Sequence, residues 1–258
     1  MTARITGHEL AGRRAIVTGS ARNIGREIAM ELARGGAAVL INARTSQAEA
    51  EAVAQEIRAL GGVSAVSLAD VSTPSGAAAV IGAAADAFGG VDILVNNAAI
   101  RREVDFADLG YAEWREVLAT TLDGAYLCCH AAMPHMVSGG SGGAIVNIGG
   151  LSAHLGASRR AHVLAAKAGL VGLTRALAHD LAPHDITVNC VAPGLINTIR
   201  DARSTSGGAP SHHARPTTLL SRRGEPADVA AMVRFLCGPA ARYVTGQTLH
   251  VNGGSYLA

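Results

Sequence analysis

The run Thr18-Gly19-Ser20-Ala21-Arg22-Asn23-Ile24-Gly25, TGSARNIG, joins an aliphatic stretch to a helical one. Ahead of it RAIVTG (14–19) reads as a buried strand ending in a glycine turn. Behind it Ile24–Arg34 places apolar residues at helical spacing. A tight glycine turn entering a helix presents free backbone N–H groups and the positive end of the helix dipole to a phosphate. Gly19 and Gly25 permit close approach. Asn23 occupies the middle position of what is usually a three-glycine run, and asparagine tolerates left-handed backbone better than most residues. The motif gains its weight from its place at the start of an alternating α/β chain.

Outward from this turn, short aliphatic runs alternate with longer helical patterns. Strands are predicted at 37–43, 63–70, 91–99, 143–150, 185–194 and 246–254. Helices are predicted at 48–60, 76–88, 111–137, 158–181 and 227–237, with Pro134 expected to end or kink the long one. Strict alternation with strands apolar throughout predicts an α/β fold, a parallel sheet covered on both faces. Right-handed crossovers make it doubly wound. No linker divides the chain, so residues 1–258 are expected to form a single domain. Asn197–Arg223 is a polar insert rich in Gly, Ser, Pro and Arg. It reads as a lid-like substrate loop or as a disordered excursion.

Composition narrows the function classes. The chain is 49% hydrophobic but only 3% aromatic, so its core must be aliphatic. Net charge is +2 with both signs mixed, which offers no basic stripe for nucleic acid. Cys128, Cys129, Cys190 and Cys237 lack metal-ligand spacing and read as buried thiols, so no metal is expected. MTARITGHEL has no apolar leader core, and no run is long enough to span a bilayer. A cytoplasmic protein acting on a small molecule is expected.

The end of the second strand meets the adenosine ribose in such folds, and an acidic residue there binds the 2′-hydroxyl of NAD. Here the run is Asn42-Ala43-Arg44-Thr45-Ser46, without an acid. Arg44 and Arg22 can clamp a phosphate, so the expected cofactor is NADP(H).

These motifs, with LADV (68–71), NNAA (96–99), GAIVNIGG (143–150), AAKAG (165–169), ITVNCVAPG (186–194) and YVTGQTLHVNGG (243–254), resemble the short-chain dehydrogenase/reductase family over nearly the whole chain. The resemblance implies a Rossmann-type sheet of seven strands and a homotetramer or homodimer, with the NGGSYLA tail in the subunit contact. It implies that Asp70 and Val71 lie near the adenine, and Asn97 and Ala98 along the cofactor. Pro193, Gly194, Ile196 and Thr198 would surround the nicotinamide, and Lys167 would hold the ribose beside it. Gly19, Ser20, Arg22, Asn23, Ile24, Gly25 and Arg44 complete the implied cofactor set.

The family's catalytic set is Asn, Ser, Tyr and Lys. Carried over by position, Lys167 matches. The tyrosine position is Val163, the serine position Gly150 and the asparagine position Thr121.

Hydride transfer to a ketone leaves an alkoxide that must be protonated or stabilised, and Val163 does neither. His162 is five residues from Lys167, around the helix, and reads as either an acid or a structural histidine. Ser152 and His154 follow the fifth strand at the carboxyl edge of the sheet, where ligands bind. They read either as substitutes for the missing groups or as a polar loop facing water. The candidate catalytic residues are therefore Lys167, Ser152, His154 and Thr121. Arg101 and Arg102, after NNAAI, can hold an anion or an oxyanion, or simply begin the next helix in water.

An iminium carbon accepts hydride without a strong acid, and a conjugated alkene takes its proton at carbon. The sequence therefore predicts reduction of a small carbonyl, imine or activated alkene. The alternative is a catalytically silent NADP(H)-binding sensor or partner subunit.

Overall fold

The computed structural model describes residues 7–199 and 218–257. The chain begins with β1 (Arg14–Val17), α1 (Asn23–Arg34), β2 (Ala38–Ala43), α2 (Gln47–Ala59), β3 (Ser64–Leu68), α3 (Pro74–Phe88) and β4 (Ile93–Asn96). It continues with α4 (Tyr111–Leu118), α5 (Gly124–Ser138), β5 (Gly143–Ile148), α6 (Ser152–Leu155), α7 (Ala161–Leu181), β6 (Ile186–Pro193), α8 (Pro226–Cys237) and β7 (Thr248–Val251). The seven strands form one parallel sheet in the order β3-β2-β1-β4-β5-β6-β7. The step from β3 to β4 crosses back over β1, so helices fall on both faces.

Parallel strands covered on both sides are near-continuous apolar runs, and β1, β4, β5 and β6 are, interrupted by Arg14 at the start of β1 and by the buried polar residues Asn96, Asn147, Thr187 and Asn189. β5 and β6 are buried along their full lengths. One aliphatic core lies between the sheet and α1, α2 and α8, with Ile28, Leu32, Ile57 and Val233 at its heart. A second lies under α3, α5 and α7, with Val80, Ile81, Cys128 and Met136. All four cysteines are buried and free. Burial pushes the Cys128, Cys129 and Cys237 thiols up to about 12. Among the described residues, no His/Cys/Asp/Glu cluster could hold a metal, and no helix is long and apolar enough to cross a membrane.

At the amino end of the sheet Asp92 ties β1 to β4. Arg14 donates to it from Nε at 2.7 Å and from a second guanidinium nitrogen at 2.9 Å. Burial pushes the Asp92 carboxyl up, and the Arg14 hydrogen bonds outweigh this and hold it below the usual carboxylate range.

The long helix predicted at 111–137 departs from expectation in two ways. Residues Ala119–Asp123 form a π-helical turn between α4 and α5. Pro134 lies inside α5 without ending it. Pro134 and His130, whose carbonyl the proline leaves unpaired, are both exposed, so water can take that carbonyl. The short α6 was not foreseen. The lid-like insert at 197–223 falls largely on residues 200–217, outside the described residues.

Candidate active site

The carboxyl ends of β1, β2, β4, β5 and β6 open into one groove of about 710 Å³. That is the size range of small-molecule and cofactor sites. Its floor at one end is the turn between β1 and α1. Gly19 has φ 61°, and a Cβ there would come within 3.0 Å of the Ala98 backbone. At Gly25 a Cβ would meet Asn97 Nδ2 at 2.4 Å and the Gly19 carbonyl at 2.5 Å. Asn23 adopts φ 54°, the left-handed backbone its position requires.

α1 begins without a side-chain cap and without an acid in its first turn. Its first N–H groups therefore point at the groove for an anion. Ile24 lines the groove beside them. Thr18 Oγ1 accepts from the Asn97 and Ala98 N–H groups, each at 3.0 Å, and locks β1 to the β4 loop.

Arg22 and Arg44 both line this end, with Asp70 and Val71 opposite. Arg44 lies 3.9 Å from Asp70. Burial raises the Asp70 carboxyl, but the Ser72 hydroxyl and N–H, with Arg44, hold it below its ordinary value. Two guanidinium groups over a bare helix N-terminus, above glycines that admit no side chain, fit a phosphorylated dinucleotide. Arg22, Arg44 and the turn would hold its phosphates.

At the other end Lys167 emerges from α7, only 6% exposed. It donates from Nζ to the Ile148 carbonyl at 2.5 Å. Burial first, then the charge of Arg101, lowers its pKa from 10.5 to about 7. Val163 lines the groove one turn earlier on the same face. Gly150 lines the same groove, and a Cβ there would meet nothing within 4 Å. Pro193, Gly194 and Ile196 close the wall from β6.

Ser152 faces the groove, but four other predicted residues do not. His154 turns away and packs on His250 (ring centroids 4.5 Å apart) and on Tyr256 (5.9 Å). Side chains advance about 100° per residue on a helix, so α6 sends Ser152 and Leu155 to the groove and His154 toward β7. Thr121 is the buried residue of the π turn, and Thr120 reaches the groove instead. Ser20 is also turned inward. Its hydroxyl donates to the Val17 carbonyl at 2.7 Å and accepts the Asn42 N–H at 3.0 Å, closing the turn. Thr198 is half-exposed and lies off the groove, whereas its neighbour Ile199 lines it.

His162 is fully buried, 3.7 Å from Glu113, which fits its structural reading. Arg101 and Arg102 both line the groove, and Arg102 is paired with Glu116 at 2.5 Å. Sequence reasoning missed Arg160, Leu155 and Ser255 on the wall. The signal for Arg160 was its place just before α7, at the carboxyl edge of the sheet.

Residues 19–256 match the family model described as enoyl-(acyl carrier protein) reductase. The chain is 40% identical over 243 residues to the 3-oxoacyl-[acyl-carrier-protein] reductase FabG of Staphylococcus aureus, covering 94% of this chain and 98% of that one. The chain belongs to the short-chain dehydrogenase/reductase family. The FabG protein of Vibrio cholerae is 38% identical over 252 residues, covering 96% and 99% of the two chains. A dehydrogenase/reductase from Sinorhizobium meliloti superposes with TM-score 0.90 at 35% identity, covering 98% of each chain. A short-chain dehydrogenase from Burkholderia cenocepacia, solved in complex with NADP, gives 0.88 at 37%, covering 96% and 99%. The family's span in this chain thus runs from the first glycine of the phosphate turn to Tyr256 in the tail.

Proposed function

We propose that this member of the short-chain dehydrogenase/reductase family is an NADP(H)-dependent oxidoreductase with an altered catalytic set. Lys167 is kept, and Val163, Gly150 and Thr121 stand at the family's tyrosine, serine and asparagine positions. The observation that carries this reading is the pairing, in one groove, of a two-arginine phosphate end with an aliphatic Val163 one turn from Lys167. The relative solved with NADP supports the choice of cofactor.

Bound NADPH supplies the hydride. The chain's own residues orient and polarise. Arg22, Arg44 and the turn at Gly19–Gly25 fix the phosphates. Lys167 holds the ribose hydroxyls and, with a pKa of about 7, carries or releases a proton at Nζ near neutrality. Val163, Leu155 and Ile196 keep water from the reacting carbon. Ser152 offers a hydroxyl to the substrate's polar atom.

The substrate is a small carbonyl, imine or activated alkene. The relatives are named for reduction of a 3-oxo group and the family model for an enoyl group, so both bond types are within the family's names. The missing acid favours C=N or C=C over a simple ketone. The same gap supports a second reading, a silent NADP(H)-binding sensor or partner subunit. A homotetramer or homodimer, with the tail after β7 at the subunit contact, completes the proposal.

Fluorescence titration with NADPH and NADH tests the cofactor, and NADPH should bind at least about tenfold more tightly, the worth of one charge-assisted phosphate contact. NADPH oxidation is then followed with ketones, cyclic imines and enones in parallel. Binding without oxidation across that panel selects the sensor reading.

A further inference from the structure

Lys167 is the chain's single lysine, among 22 lysine and arginine residues. Its amine is therefore the one primary amine on any side chain. It lines the groove and is only 6% exposed. Its Nζ donates to the Ile148 carbonyl at 2.5 Å. Among the described residues no carboxylate pairs with it. The neighbour that favours its charged form is the Cys190 thiol. Burial pushes that thiol up to about 11, so it stays uncharged near neutrality and offers no counter-charge.

An amine buried in this way is neutral for much of the time at neutral pH. A carbonyl acceptor engages an N–H hydrogen and leaves the nitrogen lone pair open. The surroundings give a reactant room. Val163, one turn earlier, lines the groove with carbon alone. Gly150, two residues beyond Ile148, faces open space. A desolvated lysine amine in a groove is the nucleophile that condenses with carbonyl compounds.

We infer that Lys167 is a covalent catalytic residue whose amine condenses with the carbonyl group of a small α,β-unsaturated aldehyde or ketone in the groove. Nζ bonds to the carbonyl carbon. The oxygen leaves as water, taking one hydrogen from Nζ and one proton from solvent, and a conjugated iminium ion remains. That ion accepts hydride at its β-carbon without an acid. The C=C pair moves to the bond between the α-carbon and the former carbonyl carbon, and the C=N pair returns to nitrogen. NADPH is oxidised and the alkene is reduced. A solvent proton then joins the α-carbon, water adds to the carbonyl carbon, and the C–N bond breaks. The saturated carbonyl compound departs, a proton returns to solvent and the amine is restored. The charge on the bound substrate does the work of the acid that Val163 lacks. The inference rests on the oxidoreductase reading and narrows its substrate class. During the covalent step Nζ serves the substrate rather than the ribose.

Reductive trapping tests it without cofactor. The protein is incubated with cinnamaldehyde and cyanoborohydride near neutral pH, and adducts are located by peptide mass mapping. Condensation leaves a cinnamyl group that has lost the aldehyde oxygen, whereas conjugate addition keeps it. The cinnamyl group should form on Lys167 at least about tenfold faster in the folded protein than in the same chain unfolded in urea, where an ordinary lysine is almost wholly protonated. A second measurement follows NADPH-dependent reduction of benzalacetone in heavy-oxygen water. The product should carry solvent oxygen beyond an enzyme-free blank, because its own oxygen left as water. No cinnamyl group at Lys167, or one formed no faster than in the unfolded chain, overturns the inference. So does a product that keeps the substrate's own oxygen. With NADPH oxidation still observed, these results leave the oxidoreductase reading in place. Trapping at Lys167 without NADPH oxidation by either compound overturns the catalytic role. A protein that oxidises NADPH with no ketone, imine or enone overturns that reading, and this inference with it.

Discussion

Asn23 and Ile199 hold each other by two reciprocal hydrogen bonds. Asn23 Nδ2 donates to the Ile199 carbonyl at 2.9 Å, and the Ile199 N–H donates to Asn23 Oδ1 at 2.8 Å. One residue thus supplies the left-handed backbone of the turn between β1 and α1 and pins the chain leaving β6 against it. Glycine could do only the first.

Asn23→Gly should keep the turn and lose the clamp. Two exposed hydrogen bonds are worth about 1 kcal/mol together, so NADPH binding should weaken roughly threefold to tenfold. Asn23→Ala should lose about 1 kcal/mol more of stability, from left-handed strain. Urea unfolding and NADPH fluorescence titration of both variants check this, and equal stabilities would remove strain from the account.

Val163→Tyr combined with Gly150→Ser should raise ketone reduction by about a hundredfold or more, the usual contribution of a positioned acid. The space at Gly150 is open, so the serine enters without displacing a neighbour. The readout is kcat/KM for a simple ketone. An unchanged value would mean that Val163 does not stand where the acid acts.

The buried ammonium of Lys167 should make the ligand-free protein pH-sensitive. Its pKa is about 7 in the fold against 10.5 ordinarily. Between those values the unfolded chain binds the extra proton, so stability rises with pH across the window. Below pH 7 both states are charged, and the cost of burial is present in full. Lys167→Met should therefore stabilise the ligand-free protein at pH 6 by about 1–3 kcal/mol, flatten the rise toward pH 10 and abolish turnover. Urea titrations at pH 6 and 9 measure it. A destabilised Met variant at pH 6 would contradict the burial argument.

His154 and His250 lie face to edge, and burial lowers both below the ordinary 6.5. As pH falls through that value the unfolded chain takes up protons first, and stability drops until the folded-state values are passed. His154→Phe with His250→Phe should reduce the loss between pH 7.5 and 5.5. Some should remain, because His162, also lowered by burial, is untouched. The measurement is the difference in unfolding free energy between variant and parent at the two pH values. An identical difference at both would show that the pair does not titrate on unfolding.

Much of the site was legible because it is made of backbone and of chain order. Gly19, Asn23 and Gly25 announce a turn that only such residues permit, and Arg44 stands where a strand must end. The residues misjudged were those whose direction depends on a helix too short or too irregular to see in a pattern. A four-residue helix turned His154 away from Ser152, and one π turn exchanged Thr121 for Thr120. Neither leaves a hydrophobic period long enough to read.

The sequence by itself determined the alternating α/β order, the seven strands and the glycine turn after the first of them. These follow from local periodicity and from residue types with one steric use. Only the tertiary structure decided which side chains share the groove. It buried Lys167 within reach of the Arg101 charge, set Arg160 on the wall of the same groove and tied Ile199 to Asn23. Those relations join residues far apart in the chain, and their energies come from desolvation and proximity, which exist only once the loops have closed on one another.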